Sequence, residues 1–195
     1  DWDLILANSF CLALLWCYST NFKKKLLIGN IIISLLTAWT ILLLFFSKVS
    51  LSDAIGMGGE THDKFFRLTL LYSGFAFISS IIREAIKDME DMHGDAKYGC
   101  RTMPIVWGIN ATKVYTAVWL VILFALLITV QVYVLQFRWW LPVAYSIVLI
   151  ILPLFYIFYK LFRASTPQHF HLLSSWIKFV MFGGILSMIF FYFYL

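Results

Sequence analysis

Charge is what this 195-residue chain lacks. Asp, Glu, Lys and Arg together make up 13% of it, where about a quarter is usual for a soluble domain. Residues 4–22, 26–46, 114–137 and 139–159 carry no charged residue at all, and 172–195 carries only Lys178. The chain is 62% hydrophobic, with a mean hydropathy of +0.87. Together these exclude an ordinary soluble fold, because a helix that is apolar all round is buried or spans a bilayer. The runs also lack the polar–apolar alternation of a membrane β-barrel. Cysteine is scarce as well. Cys11, Cys17 and Cys100 form no C-x-x-C pair, which gives neither a disulfide framework nor a thiolate metal site. No basic stretch precedes the first apolar run and no small-residue cleavage site follows it, so that run does not read as a signal peptide.

What is present is a set of spans. Each of the five runs is near the ~20 residues needed to cross a ~30 Å hydrocarbon core. A sixth candidate, 65–82, is shorter and carries Arg67 near one end, from where the guanidinium can snorkel to the interface. The expected fold is all-α: a polytopic membrane bundle of six transmembrane helices forming a single domain over 1–195. Pro142 and Pro153 are placed to kink the fifth span, and Trp139 and Trp140 to anchor it at an interface. Six spans put the first, third and fifth loops on one side. That side collects Lys23, Lys24, Lys25, Arg83, Lys87, Lys97, Arg101, Lys113, Lys160 and Arg163, ten of the fifteen basic residues. By the positive-inside rule these loops face the cytoplasm. The net charge of +5 therefore reads as a topology signal, with the lipid bilayer as partner and no nucleic acid.

Against this background the stretch REAIKDMEDMHGD (83–95) stands out. Glu84, Asp88, Glu90, Asp91 and Asp95, half of the ten carboxylates, fall there. Residues 64–93 contain no proline and only Gly74, which predicts one long helix that outruns the bilayer until Gly94 and Gly99 end it, with Lys97 and Arg101 in the loop beyond. On such a helix Glu84, Asp88, Asp91 and Asp95, spaced +4, +3 and +4, share one face. Neighbouring carboxylates ~5–6 Å apart repel by about 3 kcal/mol at an effective dielectric of ~20, so the stripe does not serve helix stability. A divalent cation removes the conflict. Mg²⁺ takes one or two protein carboxylates and completes its shell with water and phosphate oxygens, while the cations Arg83, Lys87, Lys97 and Arg101 suit phosphate.

With these residues assembled, the segment KDMEDMHGDAKYGCRTMPIVWG (87–108) resembles the second aspartate-rich motif of the UbiA-type superfamily of intramembrane prenyltransferases. Lys87, Asp88, Asp91, Gly94, Asp95, Gly99, Thr102, Pro104 and Gly108 fall in its pattern. YSTNFKKKLLIGN (18–30) is similar to the tyrosine and basic stretch ending that family's fourth span. The resemblance implies spans four to nine of a nine-helix fold, with the acidic motif loop 83–108 at the cytoplasmic side of a prokaryotic plasma membrane. It further implies Mg²⁺-dependent transfer of a prenyl group from a prenyl diphosphate to a lipophilic acceptor, aromatic or glycerol-phosphate in type, through an allylic carbocation. Asp91 and Asp95 would be catalytic metal ligands with Asp88 assisting; Lys87, Arg101 and Arg83 would hold diphosphate. Arg83 stands where many relatives have tyrosine. The wording of the motif is nearer to the geranylgeranylglycerol-phosphate geranylgeranyltransferase branch than to the 4-hydroxybenzoate branch. The chain starts at Asp1 directly before a span and contains no N-D-x-x-D-x-x-x-D segment. A fragment or processed form lacking the first spans and first motif is thus expected, with the activity of the chain by itself in question.

Other residues have plainer readings. Lys178 either snorkels to the interface or points into a cavity. His169 and His171, two apart in the fifth loop, do not share a helix face and read as interfacial. The glycine-rich 55–63 loop reads as a flexible connection. Tyr72, Phe75 and Phe77 read as lipid-facing in preference to the alternative of lining a prenyl tunnel. The competing reading is a non-catalytic membrane protein or a cation-binding, transporter-like subunit, which would be expected to carry acids inside its spans.

Overall fold

The computed structural model describes residues 2–22, 26–47 and 60–190. Among these no strand occurs. The helices are α1 (Trp2–Cys17), α2 (Ile28–Phe46), α3 (Glu60–Lys97), α4 (Met103–Val106), α5 (Ile109–Leu135), α6 (Trp140–Ser146), α7 (Leu152–Arg163) and α8 (Pro167–Leu186). Five helical stretches are long and apolar enough to cross a membrane: Ile28–Phe46, Lys64–Lys97, Ile109–Leu135, Trp140–Arg163 and Pro167–Phe190. The amino-terminal apolar helix, Ile5–Thr20, is shorter. The all-helical polytopic architecture agrees with the sequence reading. The lysines at 23–25 and most of the glycine-rich 55–63 loop lie outside the described residues.

The chain divides into two compact units, Asp1–Ser80 and Ile81–Leu195, and the boundary falls within α3. In the first unit α2 meets the amino-terminal half of α3 through small polar groups as well as rings. The Ser73 hydroxyl donates to the Ala38 carbonyl at 3.2 Å, and the Thr37 and Ser80 hydroxyls lie 3.5 Å apart. Phe45 and Phe66 stack at 5.7 Å. In an apolar medium such hydroxyls also bond to carbonyls of their own helix, as Thr37 does to Ile33 at 2.8 Å. Tyr72 and Phe75 are buried and Phe77 half-buried, which corrects the lipid-facing expectation for the first two.

In the second unit the fifth apolar span is not one α-helix. A π-helical turn at Ile147–Ile151 separates α6 from α7, and Pro153 stands at the start of α7. Proline has no N–H, so the Leu149 carbonyl four residues back loses its helical donor. α8 closes on that point. A Cβ added at Gly183 would lie 3.4 Å from the Leu149 oxygen, and the Tyr145 hydroxyl donates to the Gly183 carbonyl at 2.9 Å. A glycine at the crossing lets two backbones approach. Lys113, expected in a loop, lies instead inside α5 and is buried. Its Nζ is 3.5 Å from the Phe162 carbonyl and 6.0 Å from the Phe170 ring centroid. A cation suits the last turn of α7, where unpaired carbonyls gather negative partial charge.

The outer surface of both units is apolar. Trp2 is 81% exposed, and Leu12, Val118, Val132, Phe155 and Phe182 are also exposed. Exposed apolar area on this scale is lipid-facing surface in a membrane protein.

α3 is the element that carries the acids. Its 38 residues amount to ~57 Å at ~1.5 Å per residue, about twice the hydrocarbon thickness. Gly94 does not end it, and Lys97 belongs to its last turn rather than to the loop. Termination comes at Gly99, where φ is +68°. The Cys100 N–H donates to the Asp95 carbonyl at 3.0 Å and the Gly99 N–H to the Ala96 carbonyl at 3.3 Å, the paired bonds of a Schellman cap. Glycine is favoured there because a Cβ resists the left-handed backbone. At Gly94 the backbone is helical and open to solvent. Gly99→Ala is therefore expected to lower stability by about 1 kcal/mol, and Gly94→Ala to raise it by up to ~1 kcal/mol. Paired thermal unfolding in one detergent checks this: equal midpoints for the two variants would contradict the cap.

Candidate functional site

The candidate site is built on the last four turns of α3. Ile81, Ile82, Ala85, Ile86 and Met89 are buried and define the inner face of this segment. At ~100° per residue Glu84, Asp88, Asp91 and Asp95 fall within roughly 60° of arc on another side of the helix. Asp88 and Asp95 are half-buried and Asp91 is exposed. The register thus keeps the four acids on one accessible stripe.

The stripe is not held by acids alone. Lys87 Nζ lies 3.0 Å from an Asp91 oxygen, one turn on, and 3.8 Å from Glu90. Arg83 Nη1 bonds Glu84 Oε1. These pairs relieve part of the carboxylate repulsion, so a metal is not required to account for the helix. Of the expected diphosphate holders, Lys87 is brought to the acids. Arg83 is brought to Glu84, and Arg101 is exposed after α3. Lys178 is exposed on α8, beside the buried Ile177 and Val180.

Among the described residues no three Asp, Glu, His or Cys side chains converge closely enough to enclose a metal ion. Asp88 and Asp95 are seven residues apart, ~10 Å along one helix, which explains why one stripe cannot close a cage. The donor set suits an open Mg²⁺ site: carboxylate oxygens, two within a turn, accessible to water and to phosphate oxygens. It does not suit a closed all-protein site.

Two features escaped the sequence. The histidines are not in a loop; both lie in the opening turns of α8. His171 Nδ1 is 2.7 Å from Glu90 Oε1. Glu90 was the acid left off the stripe, and that was the available signal: about 100° round the helix from Asp91, it needed a partner elsewhere. The second is Thr102, which begins α4. It is buried, and its hydroxyl has no hydrogen-bond partner among the described residues.

The fold and this stripe define a class: integral membrane proteins that carry a carboxylate- and lysine-bearing helix end beyond an apolar span. The model of the UbiA prenyltransferase family matches residues 1–183, and the chain belongs to that family. The digeranylgeranylglyceryl phosphate synthase of Methanosphaera stadtmanae is 27% identical over 179 residues, 91% of this chain and 58% of that protein. The synthase of the same name from Korarchaeum cryptofilum is 24% identical over 188 residues, 96% of this chain and 60% of that protein. That of Methanospirillum hungatei is 35% identical over 99 residues, 51% of this chain and 31% of that protein. The chain thus spans 58% and 60% of the two relatives matched along nearly all of its length. No solved structure matches it.

The contact between Glu90 and His171 ties α3 to α8 within the second unit. Glu90→Gln and His171→Gln should each destabilise, and the double variant should cost less than their sum, with a coupling of about 0.5–1 kcal/mol. Chemical unfolding of the four proteins in detergent measures it. Strict additivity would show that the contact carries no energy.

Proposed function

We propose that the protein to which this chain belongs is an integral membrane prenyltransferase acting on a prenyl diphosphate and a lipophilic acceptor of the glycerol-phosphate type. The observation that carries this reading is the one-face register of Asp88, Asp91 and Asp95, with Lys87 beside Asp91, in a chain of the UbiA family. The name shared by the relatives, digeranylgeranylglyceryl phosphate synthase, supports the acceptor class.

In this reading Asp91 and Asp95, with Asp88 assisting, would hold Mg²⁺ at the carboxyl-terminal end of α3, where it would supply Lewis-acid neutralisation of the diphosphate leaving group. Lys87 donates to diphosphate oxygens, exchanging its bond to Asp91 for one to phosphate, and Arg101 and Arg83 supply further cationic donors. The allylic C–O bond breaks, diphosphate leaves with the electron pair, and the acceptor's hydroxyl oxygen bonds to the same carbon as its proton passes to the released diphosphate. The allylic cation formed between these steps has to be kept from water. An apolar, membrane-embedded setting does that, and aromatic faces stabilise positive charge.

A cation-binding, transporter-like subunit is the weaker reading. Such a protein needs acids at membrane depth; Ile28–Phe46, Ile109–Leu135, Trp140–Arg163 and Pro167–Phe190 contain none, and in Lys64–Lys97 the acids are confined to the last turns, from Glu84 onward.

Asp91→Asn and Asp95→Asn, each made in the protein containing the whole coding region, should lower prenyl transfer by about 10²–10³-fold with membrane insertion unchanged. Each should also raise the Mg²⁺ concentration needed for half-maximal rate. Full activity in either variant would remove that residue from the site. The reading also places the acidic motif on the cytoplasmic side of a prokaryotic plasma membrane. Cys100 follows α3 directly, so a membrane-impermeant maleimide should label it in inverted vesicles and leave it unlabelled in right-side-out cells. The opposite pattern would reverse the orientation.

A further inference from the structure

A second cationic site lies at the turn from α7 to α8. A partly open cleft of ≈ 170 Å³ is lined by Tyr156, Lys160, Arg163, His169, Leu172 and Leu173, among others. Each cation leans on a tyrosine one turn earlier. Lys160 Nζ is 5.8 Å from the Tyr156 ring centroid, and the Arg163 guanidinium carbon is 4.3 Å from that of Tyr159. These stacks hold the side chains in place without neutralising them. Among the described residues neither cation is paired with a carboxylate. His169 Nδ1 accepts from the Ser165 N–H at 3.3 Å, which puts the ring proton on Nε2 and makes that nitrogen a donor. The cleft therefore offers two positive charges and an imidazole N–H donor, with no acid among its lining residues.

An apolar groove of ≈ 500 Å³ adjoins it, lined by His171, Leu172, Ser175, Trp176 and Phe179. Leu172 lines both depressions. Tyr156 of the first packs on Trp176 of the second at 5.2 Å between ring centroids. The groove runs along two turns of α8 within an apolar, span-length helix. A small soluble anion would fill the cleft and leave the groove bare. A ligand with a phosphate head and a hydrocarbon tail covers both.

We propose that the α7–α8 corner binds a phosphate-headed membrane lipid, its phosphate between Lys160, Arg163 and His169 and one acyl or isoprenoid chain along Leu172, Trp176 and Phe179. The lipid comes from the surrounding leaflet and is held, not consumed. The groove touches α3 only through His171, which bonds Glu90; Asp88, Asp91 and Asp95 are not among the lining residues, and the site does not depend on the proposed catalytic reading.

The test uses the purified protein in phosphatidylcholine nanodiscs doped with phosphatidylglycerol, with native mass spectrometry reading the lipids that stay bound. The wild type should retain phosphatidylglycerol in preference to phosphatidylcholine. Combined Lys160→Gln and Arg163→Gln should reduce that preference about tenfold, while Arg138→Gln, beyond the far end of α5, leaves it unchanged. Combined Lys160→Arg and Arg163→Lys should keep it, which separates loss of charge from loss of fold. Phe179→Asn should weaken lipid retention through the groove. sn-Glycerol 1-phosphate, the soluble arm, should fail to displace the lipid at equal concentration. An unchanged preference in the charge-removing variant would overturn the proposal. Equal competition by sn-glycerol 1-phosphate would also overturn it, by showing a soluble-anion site.

Discussion

A backbone amide in hydrocarbon has nowhere to bond except its own helix. That constraint governs the whole molecule. It forces the apolar runs into helices, and α3 runs on from its apolar half through Arg83 to Lys97 without leaving helical hydrogen bonding. The acid stripe exists because that helix is not interrupted. Gly94, mid-helix, interrupts nothing, and the turn is made five residues later by Gly99, whose left-handed backbone closes the cap on the Asp95 carbonyl.

Where a helix breaks its own ladder, a neighbour packs close. Pro153 removes a donor from the Leu149 carbonyl, and α8 brings Gly183, which has no side chain, against that oxygen. At the end of α7, Lys113 places a cation at the Phe162 carbonyl, which satisfies backbone polarity in a medium that supplies no water. These contacts link α5, α7 and α8 in the second unit. That assembly brings the start of α8 to Glu90.

The acid stripe itself is a balance of opposed charges. Lys87 and Arg83 offset part of the carboxylate repulsion. In the proposed function, a carboxylate already paired with lysine can pass that lysine to phosphate, because the exchange substitutes one charge-assisted hydrogen bond for another. The stripe remains open along one side of a single helix, which is the form expected of a donor set that is completed by ligand oxygens rather than by protein.

Much of this was legible in the residues. Uncharged runs announce helices because a bilayer penalises every unpaired polar group, and the spacing of Asp88, Asp91 and Asp95 announces a shared face because α-helical periodicity is a property of the backbone. The acid stripe and the all-helical class follow from such local rules; the family was legible through the resemblance of residues 87–108 to a known motif. Other features depend on which distant residues meet. Nothing in the spacing of His169 and His171 pointed to Glu90, eighty-one residues from His171. Lys113 read as one more loop cation until packing buried it, and Tyr72 and Phe75 read as lipid-facing until the interior enclosed them. The sequence by itself determined where helices form, since hydrophobicity and periodicity act within a few turns. Only the tertiary structure decided which side chains are partnered, because burial and pairing depend on neighbours that chain order does not specify.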